Sequence, residues 1–462
     1  MKLNKYISLI LMICLLLTAA GCGNKTISEP EVTATTPDTY PVETQTVSEE
    51  TQQKALENPL PVFQKSATLE PTVLYDENNM KITVTGLSYN NYSAEVELLL
   101  ENNSDKPMTF ICESMGYSCN SVNNYMIEDG YLNCTVDPGK KANDSISFSI
   151  QELMLHGIYE IYELEIGFDI GDEDYNHLYT GPLHAQTSAY DAHKTEKHNY
   201  LDTMTNSSFT REMGVKIPFT SQEIFYDENG IKILSACFME NKDGKQLLML
   251  EAENGTDQQI HLTTQDISLN GLKVQKSNHS GLTVNPGKRG LLTVSPASAM
   301  DEAFWDSYGI TQLSSVSFCL AVNDQEWNPL AESNDITIRL AEDQSAFDAA
   351  GSEVYNENGI RIIDKGLIKN TSEYNNNQHI LLLVSNESEQ PVMIEDVYKS
   401  VSCNGFMTSY YFYGQKLLPG QSGVIRIELT DSSLEKNNIV DITEVELRLN
   451  INDEEITLAM TY

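Results

Sequence analysis

Tyr75-Asp76-Glu77-Asn78-Asn79-Met80-Lys81-Ile82 returns as Tyr226-Asp227-Glu228-Asn229-Gly230-Ile231-Lys232-Ile233, and a third time as Tyr355-Asn356-Glu357-Asn358-Gly359-Ile360-Arg361-Ile362. It is the first of four markers that recur in one order. An apolar run then ends in Glu101-Asn102-Asn103-Ser104, Glu253-Asn254-Gly255-Thr256 or Ser385-Asn386-Glu387-Ser388. Ser118-Cys119-Asn120, Ser268-Leu269-Asn270 or Ser402-Cys403-Asn404 follows. Pro138-Gly139-Lys140, Pro286-Gly287-Lys288 or Pro419-Gly420-Gln421 closes the series. Similar spacings kept through three copies mark an internal repeat of one structural unit.

The copies end alike. Val445, Leu447, Leu449 and Ile451 alternate with Glu446, Arg448 and Asn450. Val316, Phe318, Leu320 and Val322 do the same in the second copy, and Tyr162, Leu164, Ile166, Phe168 and Ile170 in the first. Period two with one apolar face is a strand lying on a core. Short helix-like pieces precede these strands at 151–156, 301–308 and 431–437 and read as crossovers between sheets. About seven strands per copy have the rhythm of an immunoglobulin-like sandwich. The expected fold is all-β, with three tandem immunoglobulin-like β-sandwich domains at 66–187, 216–343 and 344–462, and a linker at 188–215.

Ahead of the repeats lies an export signal. Lys2 and Lys5 precede an apolar run from Ile7 to Leu17, then small residues lead to Cys22. The run is too short to span a bilayer, which needs about 20 apolar residues. Residues 1–21 therefore read as a leader to be removed. Ala19-Ala20-Gly21-Cys22 resembles the lipobox of bacterial lipoproteins, with Ala19 in place of the usual leucine. That resemblance implies a lipid on Cys22, whose acyl chains would hold the protein on the membrane. Residues 22–65 are then a tether. Glu, Pro, Thr and Ser dominate it, so it cannot offset its ordering entropy by burial. As a flexible coil it would span roughly 35 Å.

The formal charge is −38, from 67 acids against 29 Lys and Arg. A chain this acidic lacks the clustered cations that nucleic-acid binding needs. Its charge suits solubility, or affinity for cations such as Ca²⁺. The Asp-Glu-Asn-Gly segments have two readings, a calcium loop or a tight hairpin turn in which Asn-Gly supplies positive φ. The Pro-Gly pairs read as type II turns. Asn120, Asn270 and Asn404 read as ligands of loop backbone.

Leaving out Cys14 and Cys22, six cysteines remain. Their spacing does not suggest zinc. Cys237 and Cys319 are either a disulfide or two small buried hydrophobes, and both readings stay open. Asp172, Glu173, Asp174, His177, His184, Asp191, His193 and His198 crowd into 171–198. Imidazole and carboxylate suit transition ions, but the irregular spacing favours a loop over a metal site. The other histidines, His156, His261, His279 and His379, sit at unlike places in the repeats. No nucleophile elbow, metalloprotease helix or phosphate loop occurs. No catalytic residue, metal or cofactor is expected. A carboxylate pair for glycoside hydrolysis remains open only because acids are so many.

The lipobox, the tether and the Asn-x-Ser/Thr, Ser-x-Asn and Pro-Gly-Lys markers together resemble extracytoplasmic lipoproteins of Gram-positive bacteria that carry immunoglobulin-like sandwich repeats. The resemblance implies a membrane-anchored, non-catalytic binding or adhesion protein for a protein or glycan ligand. The alternatives are an accessory subunit of a transporter, sensor or cell-wall complex, and a hydrolase.

Overall fold

The structure is a computed structural model that describes residue 59 and residues 61–112, 119–343, 346–369 and 377–462, with backbone alone for 275–280. The leader, Cys22, the tether to residue 58 and Ser118 lie outside the described residues.

The opening octapeptides are hairpin turns. Asn78-Asn79, Asn229-Gly230 and Asn358-Gly359 have φ of 54° and 62°, 53° and 77°, and 54° and 74°. These left-handed angles match the twist of the flanking strands, and Asn and Gly enter them at least cost. The carboxylates are engaged locally: Asp76 pairs with Lys81 at 3.1 Å and Asp227 with Lys232 at 3.6 Å. All three segments are thus tight hairpin turns. The Pro-Gly pairs are turns too, with Gly139, Gly287 and Gly420 at φ 65°, 71° and 78°.

Each hairpin opens a sheet. Its first strand is Thr72–Glu77, Tyr226–Glu228 or Ser352–Glu357. Strand A follows as Met80–Tyr89, Ile231–Asn241 or Ile360–Lys369. Strand B is Ser93–Asn102, Gln246–Asn254 or Gln378–Asn386. Strand E, after the Pro-Gly turn, is Lys140–Ser149, Arg289–Val294 or Ser422–Leu429 and lies beside B.

The second sheet has the order C′-C-F-G. Strand C is Ile260–Leu269 in repeat 2. It is split in the others, into Met108–Cys112 with Asn120–Val122, and Val392–Asp396 with Ser402–Cys403. Its hairpin partner C′ begins at Tyr125, Leu272 or Phe406. Strand F is Glu163–Gly171, Ser315–Asn323 or Glu444–Ile451. Strand G starts at His177, Pro329 or Glu454. A-B-E against C-F-G is the connectivity of an immunoglobulin sandwich, with an extra strand on the edge of A. The alternating residues of strand F point inward as their period requires. Leu164, Phe168, Phe318, Leu320, Leu447 and Leu449 are fully buried. The crossovers between E and F include Ile150–Leu155, Pro296–Ala299 and Asp431–Lys436.

Two expectations need correction, and one pair of readings left open is decided. First, 188–215 is no linker. It carries the helices Tyr190–His193, Tyr200–Met204 and Ser207–Met213. Tyr200, Leu201, Met204 and Phe209 are buried there against Leu155 of repeat 1 and Cys237, Met239 and Met249 of repeat 2. Asn199 and Asn206 cap the second and third helices. Second, repeat 1 begins before residue 66, because Phe63 is in its core and Gln64 N donates to Tyr159 O at 2.7 Å. Third, Cys237 and Cys319 are free thiols. Cys237 points from strand A into the junction with repeat 1, whereas Cys319 points outward from strand F and donates to Asp335 Oδ1 at 3.2 Å. The two sit on opposite sheets of one sandwich. Burial pushes each thiol up to about 12, away from thiolate reactivity.

The repeats also share sheets. Strand E of repeat 2 pairs in parallel with C′ of repeat 1 (Arg289 with Tyr125), and E of repeat 3 with C′ of repeat 2 (Leu272 with Ser422, Lys273 with Gly423).

Candidate binding surface

The third marker needs a shift of register in repeat 1. Asn270 N donates to Ser315 O and Asn404 N to Glu444 O, and the same bond in repeat 1 is Asn123 N to Glu163 O. Asn123, Asn270 and Asn404 share φ near 50° (51°, 51° and 49°) at the turn between C and C′. Their Oδ1 atoms accept the first backbone amides of strand F. Asn120 lies three residues upstream and donates instead to Asp129 O at 2.9 Å. All four bind loop backbone.

The turn at these asparagines launches the strand that meets the next repeat. At the first junction Arg289 N donates to Asn124 O at 3.0 Å. Lys288 Nζ reaches Asn124 Oδ1 at 2.8 Å and Glu165 Oε1 at 2.7 Å. The Tyr125 hydroxyl donates to Glu251 Oε1, and the Arg289 guanidinium clasps Glu251 and Glu253 at 3.3 and 2.8 Å. At the second junction Lys273 Nζ donates to Lys416 O at 2.9 Å, and Tyr308 Oη to Leu382 O at 3.2 Å. Tyr308 and Phe304 share a core with Ile363, Leu381, Leu383 and Val424 of repeat 3. Gly290 and Gly423 let the neighbour approach closely. Across the junctions, a Cβ at Gly290 would meet Met126 Cβ of repeat 1 at 3.3 Å, and one at Gly423 would meet Lys273 O of repeat 2 at 3.3 Å.

Repeat 3 presents the same surface at its far end. Phe406 follows Asn404-Gly405 as Leu272 follows Asn270-Gly271 and Tyr125 follows Asn123-Asn124. Tyr125 and Leu272 are 2% and 0% exposed, but Phe406 is 52% exposed and Met407 61%. Val440, after the crossover helix, is 83% exposed. The helix lies against this hairpin through Asn437 Nδ2 and Met407 O at 3.3 Å. The opposite end of the array differs. Repeat 2 offers Met249 and Leu291 to its neighbour, and repeat 3 offers Leu381 and Val424. The same positions in repeat 1, counted from the marker Asn and Pro, are Glu97 and Asn143, both exposed. Repeat 1 is thus a polar cap, as the end of a repeat array requires.

A second feature escaped the sequence reading. The turns between F and G in repeats 1 and 2 share the pattern Asp-x-x-aromatic-Asn. Asp172 Oδ1 accepts Asp174 N and Asn176 N, and Asp324 Oδ1 accepts Glu326 N and Asn328 N. Tyr175 and Trp327 sit at the tips with φ of 63° and 65°. A bulky residue in the left-handed region is an outlier. Tyr175 is 86% exposed. Trp327 is half-exposed, and His261 stacks on it at 4.3 Å and 3°. The two pentads, Asp172-Glu173-Asp174-Tyr175-Asn176 and Asp324-Gln325-Glu326-Trp327-Asn328, were the available signal.

The histidine-rich stretch does not converge on one centre. His177 Nδ1 lies 2.8 Å from Asp169 Oδ1, and His193 lies 3.3 Å from Glu160 and 2.8 Å from Glu196. His198 stacks on Tyr162 with centroids 5.5 Å apart. His184 lies with Glu163 and Glu165 in a group whose ligand atoms are all within 4.8 Å of one another. Asp266, Cys319 and Glu332 form a second such group. Among the described residues no helix is long and apolar enough to cross a membrane.

No family model matches the chain, and comparison with curated protein sequences finds no match. Several solved structures resemble parts of it. The exo-chitosanase CsxA of Amycolatopsis orientalis is 9% identical at a TM-score of 0.19, with 49% of this chain and 26% of that chain covered. A protein of unknown function from Porphyromonas gingivalis W83 is 13% identical at 0.14, covering 47% and 91%. A structure from a 1.5-MDa bacterial ice-binding adhesin is 10% identical at 0.13, covering 80% and 90%. This chain spans about a quarter of the chitosanase. At these scores and identities the likeness assigns no ligand and no activity.

Proposed function

We propose that this chain is a non-catalytic binding module, held on the outer face of the cell membrane by a lipid on Cys22, that grips a partner protein with the far end of repeat 3. One observation carries the reading. The surface at Phe406, Met407 and Val440 is the surface that repeats 1 and 2 each use to seat another sandwich, and here it is bare. Exposed apolar patches of this kind mark interaction sites. The occupant it fits is a β-sheet domain with an apolar outer face and a free edge strand, which can add a parallel strand at Phe406 as Ser422 does at Leu272. Repeat 1 of a second copy does not qualify, because its outer face carries Glu97 and Asn143.

The test is site-specific photocrosslinking in intact cells, with a benzophenone side chain at position 406. A discrete adduct with a β-sandwich protein is expected. It disappears in Met407→Asp, and no such adduct forms when the crosslinker replaces Tyr92, an exposed residue of repeat 1. Equal labelling from both positions, or a partner unaffected by Met407→Asp, sinks the proposal. If the partner is an integral membrane protein, the module is an accessory subunit and not an adhesin.

The tips at Tyr175 and Trp327 favour a second reading, glycan contact. Strained backbone that keeps an aromatic face exposed is found where a ligand is gripped. Binding of neutral oligosaccharides to the full chain, lost in Trp327→Ala, would support it. Unchanged binding in that variant removes it.

A further inference from the structure

We infer that Glu163, Glu165 and His184 form a binding site for a divalent transition-metal ion, with zinc as the fitting case. Glu163 and Glu165 stand two apart on strand F and share its outer face, turned away from the core side chains Leu164 and Ile166. His184 on strand G lies directly across from Glu165. Its Nε2 contacts Glu163 Oε1. Register alone therefore brings one imidazole nitrogen and two carboxylates within 4.8 Å of one another.

Two further observations point to a cation. The carboxylates are enclosed, with side chains 13% and 14% exposed, so two like charges face each other where water screens them poorly. Lys288 satisfies Glu165 Oε1 at 2.7 Å, but Glu165 Oε2 is buried with no hydrogen-bond partner. A buried carboxylate oxygen without a partner is rare and calls for an ion or a water. The cluster sets two carboxyl groups against the one amine of Lys288, an acidic excess that a divalent ion offsets.

The donor set chooses the metal. Calcium and magnesium prefer all-oxygen cages. One nitrogen and two carboxylate oxygens suit zinc and its neighbours. Three protein ligands leave a tetrahedral ion one position for water or an incoming donor. His184, at 41% side-chain exposure, leaves the ion a path from solvent. Lys288 belongs to repeat 2, so the ion would sit at the junction of the first two repeats.

The experiment is calorimetric titration of the purified full chain with Zn²⁺ after chelator treatment, with thermal melts alongside. The expected result is one saturable equivalent that raises the melting temperature. That equivalent disappears, with affinity down at least tenfold, in His184→Ala and in Glu165→Gln. Loss of the same equivalent in His177→Ala, whose ring pairs with Asp169 on the same two strands, would assign the zinc elsewhere. His184 is on the surface, so its variant keeps the fold, and an unchanged metal-free melt checks this. Uptake of zinc by His184→Ala with the parent's stoichiometry and affinity, or no uptake by the parent, overturns the inference.

Discussion

Asn102, Asn254 and Asn386 each lock a sandwich from inside. Their Nδ2 groups donate to two carbonyls: Lys106 and Val136, Gln258 and Val284, Gln390 and Leu417, all at 2.7–3.0 Å. Their Oδ1 atoms accept the amide and hydroxyl of Ser104, Thr256 or Ser388. All three are 0–1% exposed. The Asn-x-Ser/Thr marker was legible as a repeat, but its role was not, because one of the two carbonyls each Asn meets lies some thirty residues away. Asn254→Ala leaves those carbonyls buried and unsatisfied, so it should cost about 2–4 kcal/mol. Asn254→Asp should cost as much or more, because it places an acceptor against carbonyls. Urea unfolding measures both. A loss under 1 kcal/mol for Ala would mean that water replaces the amide.

Histidine chemistry at this scale sets a pH response. Burial pushes His156 down to about 4 and also lowers His198, His261 and His379. Each holds a proton less readily when folded than when unfolded, so unfolding is linked to proton uptake below about pH 6.5. The stability they contribute is present above that pH and is lost as pH falls toward the folded values. Burial raises Glu152 to about 7, which acts in the opposite sense by removing stability above its unfolded value near 4.5. His156→Gln isolates the first effect. Its melting temperature should fall less than the parent's between pH 7 and pH 5. A parallel decline in the two proteins would put the acid sensitivity elsewhere.

At the level of elements, strands and turns were readable and the block at 188–215 was not. A strand with one buried face shows itself by alternation, and Asn-Gly and Pro-Gly name their turns. Tyr200, Leu201, Met204 and Phe209 have helical spacing, but their helices run only five and seven residues, too short for periodicity to stand out. Their partners, Cys237 and Met249, belong to another repeat. Because Tyr200 is fully buried at that seam, Tyr200→Ala should cost about 3–5 kcal/mol. The turns between F and G carry the reverse signature. Tyr175 is exposed and strained, so Tyr175→Asn should raise stability by roughly 0.5–1 kcal/mol, since Asn tolerates the left-handed region. A destabilised variant would mean that the ring packs on something that its 86% exposure conceals.

Across the whole molecule, one surface faces one way in every repeat. Strand C′ and the crossover of repeats 1 and 2 receive strand E and the outer sheet face of the repeat that follows, which is a head-to-tail relation. Such an interface does not close on itself and propagates unless its ends are blocked. The surface at Phe406 is exposed, so a block to growth is expected at the other end, where Glu97 and Asn143 replace Met249 and Leu291 or Leu381 and Val424. Removing it should unleash growth. The double variant Glu97→Leu, Asn143→Val gives repeat 1 an apolar outer face, and repeat 3 of another copy then has a surface to seat. Sedimentation velocity should show oligomers that lengthen with concentration, while the parent chain does not lengthen. Adding Phe406→Asp should return the variant to the parent's behaviour, because it puts an unpaired carboxylate into the same contact. Oligomers that persist in the triple variant would show that association runs through another face. The far end would then have no demonstrated capacity to seat a sheet, and the proposed partner site would fall with it.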